Sequence, residues 1–173
     1  LRDYEGIDKW FMPEVSFKLN ILPVQGLTFN QTLGYELRQW EEHTYTYKTS
    51  RGEIENARKG TAYLGFSKTE NINAEGYGSF IRSWDKHNLN AMVGYSYYEG
   101  NGESFNMTNY DFSVEGVKYW DIGTGTYLKK GLASMGSSKN VTTKLFSYFG
   151  RVNYDYDNRY LLSASLRRES SSK

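Results

Sequence analysis

Two histidines and no cysteine leave this chain little with which to build a metal centre or a nucleophilic site. His43 and His87 fall in different segments, one in a long polar stretch and one in a tight turn, so they are not expected to share an ion. Glu41 and Glu42 are adjacent in that polar stretch and read as a solvated surface, not as a general acid and base. The run through Gly123, Gly125 and Gly131 lacks the pattern of a phosphate loop. No catalytic, metal or cofactor site is expected, and hence no enzyme. What remains is flat rings set among polar side chains: Trp40, Tyr45 and Tyr47 in one polar stretch, and Tyr110, Phe112, Tyr119 and Trp120 in another. Such rings suit amphipathic ligands such as sugars, and equally suit packing of loops on one another or against a partner.

The elements that must carry those rings are strands. Aromatics make up 17% of the 173 residues, with 16 Tyr and 17 Gly against 2 Pro, a composition that favours strands and turns. Mean hydropathy is −0.71. Basic and acidic residues number 21 and 20, for a net charge of +1, so nothing argues for nucleic acid. No apolar run is long enough for a transmembrane helix, and a membrane β-barrel would leave none, because each strand shows lipid only every second side chain. The sequence opens without Met and stops within a continuing segment, and is expected to be a piece of a longer protein.

Alternation is clean at Val15, Phe17, Leu19 and Ile21, and again over Leu27 to Gln39, on either side of a turn at Pro23 to Gly26. Ile72 to Trp84 alternates less cleanly, with Tyr77 and Ile81 on the minority parity. After Asp85 to His87, the residues Leu89, Ala91, Val93, Tyr95 and Tyr97 take it up. In the last hairpin Phe146, Tyr148, Val152, Tyr154 and Tyr156 share one parity, Arg151, Asn153 and Asp155 the other, and Tyr160, Leu162, Ala164 and Leu166 answer them across Asp157 and Asn158. The expectation is all-β: six strands in three hairpins, at about 15–40, 71–98 and 143–168, linked by long loops at about 41–70 and 99–142.

Tight turns and long links alternate strictly. Long structureless loops are uncommon in compact soluble domains, whereas outer-membrane barrels have short turns on one side and long loops on the other. Tyr154, Tyr156, Tyr160 and Trp84 flank the tight turns, as interfacial aromatics would. Glu36, Arg38, Asn90, Arg151, Asn153 and Asp155 fit either a wet lumen or the wet side of an open sheet. A soluble β-sandwich that binds carbohydrate therefore stays open as an alternative, and a barrel enzyme lacks a placed nucleophile.

The segment YFGRVNYDYDNRYLLSASLRRESSSK resembles the SusC/RagA family of TonB-dependent outer-membrane transporters of Bacteroidota. Ser147, Tyr148, Phe149, Arg151, Tyr154, Arg159, Tyr160, Leu161, Leu162, Arg167, Ser171 and Ser172 fit the family's closing hairpin, while Glu169 and Ser170 stand where Asp and Gly are usual. PVQGLTFNQTLGYE and WDKHNLNAMVGYSY resemble two further hairpins of the family, and KYWDIG falls where similar words occur in its loops. The resemblance implies an antiparallel up-and-down barrel of 22 strands in the outer membrane, with a plug and TonB box that this sequence does not contain. It implies TonB with ExbB and ExbD as energy source, a SusD-like surface lipoprotein as lid, and import of oligosaccharides or, as in the RagA branch, of peptides. In that frame the Asp157–Asn158 turn is periplasmic, Phe146, Val152, Leu162 and Leu166 face outer-membrane lipid, and Arg151, Asn153 and Arg167 face the lumen.

Overall fold

The computed structural model describes residues 1–172. Eight strands form one sheet: β1 (Arg2–Phe11), β2 (Glu14–Asn20), β3 (Leu27–Tyr47), β4 (Gly60–Trp84), β5 (His87–Tyr110), β6 (Ser134–Lys139), β7 (Thr143–Tyr156) and β8 (Tyr160–Ser171), with short helices α1 (Arg51–Glu55) and α2 (Thr126–Lys129). The order is β1-β3-β4-β5-β7-β8, with β2 also on β3 and β6 also on β5. This is an antiparallel meander whose two ends do not meet among the described residues.

The strands run well beyond the hairpin limits expected from the sequence. β3, β4 and β5 hold 21, 25 and 24 residues, whereas about 9–11 residues suffice to cross a bilayer. Much of the stretches at 41–70 and 99–142 is therefore strand. Alternation is weak there, beyond a short run at Ala62, Leu64 and Phe66, because the extensions carry few apolar side chains on either parity. β1 escaped the sequence pattern for the same reason: Asp3, Glu5 and Lys9 stand where an apolar face would be. The break between β1 and β2 falls at Pro13, which has no N–H for the ladder. Its carbonyl still accepts from Tyr35 N at 3.0 Å.

Tight turns close the other ends. Asp157 and Asn158 both take left-handed φ of 54°, and Asp85 takes 48°, a conformation Asp and Asn tolerate better than most residues. Neighbouring turns are tied: Asp157 N donates to Lys86 O at 2.8 Å, and Lys86 Nζ lies 3.2 Å from the Asp157 carboxylate.

By contacts the chain divides into two units. The first, residues 1–10, 37–69 and 102–141, holds a small core of Tyr45, Ala62 and Phe112, with Tyr47, Tyr119 and Ile122 packed on it. The second, residues 11–36, 70–101 and 142–173, contributes no apolar side chain to the buried core among the described residues. Its large apolar groups are exposed instead. In a sheet of this kind the apolar face must be covered by something other than the chain itself.

Candidate functional site

In the second unit the register sorts side chains onto two faces. Directly opposed residues share a face, so the pairs Val15–Leu33, Leu19–Phe29, Ala91–Val152, Leu89–Tyr154, Tyr97–Phe146 and Tyr154–Leu162 define an apolar side. Val15, Leu19, Leu33, Val93, Val152, Leu162 and Leu166 are all exposed on it. The opposite side carries Ser16 against Thr32, Asn90 against Asn153, Ser96 against Ser147 and Arg167 against Phe149. Hydroxyl pairs bond across it, Ser16 to Thr32 at 2.9 Å and Ser96 to Ser147 at 2.7 Å, and Asn71 Nδ2 donates to Glu36 at 2.9 Å. A polar recess of about 290 Å³ lies on this side, lined by Asn73, Glu75, Ser96, Ser147, Arg167 and Glu169 among others. Arg151, Asn153 and Arg167 share the polar face, and Phe146, Val152, Leu162 and Leu166 the apolar one.

Two aromatic rows mark the apolar face. At the tight-turn end Trp84 stacks on His87 (centroids 5.2 Å), His87 Nδ1 lies 2.6 Å from Tyr154 Oη, and Tyr156 and Tyr160 stack at 6.4 Å. At the other end Tyr95, Tyr97, Phe146 and Tyr148 form a second cluster. The run from Tyr156 back to Phe146 covers roughly 33 Å of strand, or roughly 25 Å of height at the usual barrel tilt. That matches the apolar band between aromatic girdles.

The first unit contains all seven of the ring-bearing candidates. Tyr45 and Phe112 are buried and meet edge to face at 5.7 Å, with Tyr47 at 5.1 Å from Tyr45. Burial, with Glu115 and Glu53 nearby, pushes the Tyr45 phenol up in pKa. Asn109 locks the second loop onto this core: its Nδ2 donates to Ile122 O at 2.7 Å and Gly125 O at 2.9 Å. A Cβ at Gly125 would fall 2.6 Å from that amide, so glycine serves close approach here.

Residues 118–120 are strapped to β1. Lys118 Nζ donates to Asp3 at 2.5 Å, Tyr47 Oη donates to the same carboxylate at 2.7 Å, and Tyr119 Oη donates to Glu5 at 3.2 Å. The Lys118 hydrogen bond, with that from Tyr47, holds Asp3 below the usual carboxylate range, and Asp3 in turn raises the Lys118 ammonium. Burial and the Glu5 bond raise the Tyr119 phenol. Beside this strap His43, Tyr119 and Trp120 form a ring cluster, Tyr119 to Trp120 at 5.0 Å and His43 to Trp120 at 6.1 Å. Trp120 is 72% exposed, a flat surface open to a ligand or a partner.

The remaining candidates sit apart. Trp40 lies across Gly6, where a Cβ would fall 2.9 Å from the indole. The Arg58 guanidinium covers Tyr110 at 4.8 Å, and Tyr127 packs on it at 5.2 Å. Sequence reasoning missed Asp3 and Glu5 because β1 shows no apolar alternation, and had Lys118 only as the first residue of KYWDIG. It set His43 aside as a metal ligand and did not foresee it as a ring partner. No group of three or more metal-ligating side chains occurs among the described residues.

A two-faced antiparallel sheet with paired aromatic rows, whose second unit has no buried apolar core among the described residues, is the wall of an outer-membrane β-barrel. No family model matches the chain. It is 30% identical to TonB-dependent receptor P3 of Formosa agariphila over 151 residues, and 27% identical to receptor P39 of the same organism over 159, each time across 86% of the chain. The chain spans 14% of the length of each receptor. The solved RagAB peptide transporter superimposes with a TM-score of 0.85 at 17% identity, over 99% of this chain and 18% of that one. The chain belongs to the TonB-dependent receptors of the bacterial outer membrane and has the barrel fold of the SusC/RagA kind.

Proposed function

We propose that this chain is the wall and outer-loop portion of a receptor that imports an oligomeric nutrient across the outer membrane. The TonB–ExbB–ExbD machinery drives it through a plug and TonB box encoded elsewhere in the protein, and a SusD-like lipoprotein closes it from outside. The observation that carries this is the likeness to TonB-dependent receptors over 86% of the chain. The alternating face pattern supports it, since an apolar side for lipid and a polar side for a lumen are what such a wall requires. The soluble carbohydrate-binding module gives no account of the exposed apolar face, and transport needs no catalytic group from this segment.

A peptide is the first choice of cargo, supported by the fold shared with RagAB, a peptide transporter. That reverses the order suggested by the sequence, which put oligosaccharides first. An oligosaccharide remains the second, favoured by the exposed Trp120 beside Tyr119. Within the loops Trp120 and Tyr119 are the residues proposed to meet cargo or lid, while Tyr45, Tyr47 and Phe112 hold the platform and Trp40 and Tyr110 brace its margins. The full-length receptor should co-purify with a lipoprotein and with bound oligomer, which mass spectrometry identifies as peptide or glycan. Uptake should cease when TonB is deleted; uptake that continues without TonB defeats the proposal.

A further inference from the structure

The apolar face of the second unit is not uniform. Gly150 interrupts it midway along β7, and a groove of about 620 Å³ opens there. Val93 of β5, Val152 of β7, and Ala164 and Leu166 of β8 form its apolar sides, and Tyr148 and Arg168 stand at one end. The register places Arg168 directly opposite Tyr148, on the same face as Leu166 and Val152. Arg168 thus points to the side that carries the exposed aliphatic residues, away from Arg167 and Glu169, which pair with each other on the other face.

A guanidinium on a lipid-facing surface is informative because of its depth. At mid-bilayer it costs roughly 2–4 kcal/mol, and near an interface close to nothing. Arg168 is level with Tyr148, in the aromatic row far from the tight turns, a depth from which a long basic side chain reaches the polar boundary with its stem on the apolar face. Below it, toward the middle of the apolar band, the groove runs between Val93, Val152, Ala164 and Leu166, and Arg151, which also borders it, belongs by register to the opposite face. Cation above and apolar trough below is the shape of one lipid, head and tail.

We propose that this groove seats a phosphate-bearing lipid, its acyl chain lying over Gly150 and its phosphate on the fork of Arg168, with the Tyr148 hydroxyl beside it. Guanidinium binds phosphate through paired N–H donors, whereas an ammonium acts as a point charge. The inference rests on the outer-membrane placement of the wall and is independent of what the receptor carries.

The test uses the full-length receptor in detergent, with native mass spectrometry reading the fraction that retains added phosphatidic acid, phosphatidylcholine or inorganic phosphate. Phosphatidic acid should bind, and R168Q should lower its occupancy at least five-fold while R168K retains an intermediate share. G150L fills the trough, where a Cβ meets only the Met92 carbonyl at 3.5 Å, and should lower occupancy with Arg168 intact. Heat-modifiable migration on gels reports that each variant still forms a barrel. Equal phosphatidic acid binding by wild type and R168Q overturns the proposal. So does inorganic phosphate displacing the lipid in a manner indifferent to G150L, which marks a bare anion site.

Discussion

At the scale of single residues the loop platform depends on one shared carboxylate. Asp3 accepts from both Lys118 and Tyr47, and Lys118 holds its pKa below the ordinary 3.8. A depressed carboxylate stabilises the fold above its unfolded pKa and loses that contribution as pH falls through the folded one. The strap should therefore hold at neutral pH and loosen below about pH 3.8, the ordinary Asp value. Lys118, raised above its ordinary 10.5, contributes below that value and loses its effect only in strong alkali. Asp3→Asn should reproduce the acid state at neutral pH. Hydrogen exchange across residues 115–125 reports it, and protection equal to wild type in the variant counts against the strap. Trp120→Ala, by contrast, removes an exposed ring. It should leave the barrel intact and weaken cargo or lipoprotein binding by about ten-fold, on the order of 1.4 kcal/mol, and unchanged binding excludes Trp120 from either contact.

At the scale of elements, Gly26 ends the turn between β2 and β3 with φ of +86°, and its carbonyl accepts from Ile81 N at 2.9 Å. A Cβ there would stand 1.9 Å from Ile81 O. Gly26→Ala should destabilise the barrel by more than the roughly 1–2 kcal/mol of a left-handed alanine, read as a lower unfolding midpoint in urea with lipid vesicles. A midpoint equal to wild type contradicts the turn geometry. The strands of the wall were legible in the sequence because a bilayer on one side and water on the other impose period two: Val15 to Ile21, Leu89 to Tyr97 and Phe146 to Tyr156 all lie on the faces their parity predicts. Their upper halves were not legible. Glu41 to Tyr47 and Glu99 to Tyr110 continue as strand with few apolar side chains to mark it, and β1 pairs through Asp8 with Arg38 and Lys9 with Glu41, contacts that leave no pattern in one strand alone. The loop aromatics were visible as residue types. Their division into a buried Tyr45 and Phe112 and an exposed Trp120 depends on which loop lies over them, and that is tertiary information.

At the scale of the whole molecule, an exposed apolar face, on a sheet whose ends do not meet among the described residues, leaves apolar surface and strand edges that water does not stabilise. Residues 1–173 expressed alone should be insoluble without detergent, and a soluble monomer that unfolds cooperatively would instead vindicate the sandwich. The central claim is the direction we propose for the wall: the Asp157–Asn158 turn toward the periplasm, and the loop that carries Ser113 toward the cell surface. It is tested most directly by labelling intact cells that express the full-length receptor with a membrane-impermeant maleimide, using Arg159→Cys in the β7–β8 turn and Ser113→Cys in the outer loop. Both side chains are exposed. The account predicts that Ser113→Cys labels in intact cells and Arg159→Cys only after the outer membrane is permeabilised; labelling of Arg159→Cys in intact cells with Ser113→Cys protected would contradict it.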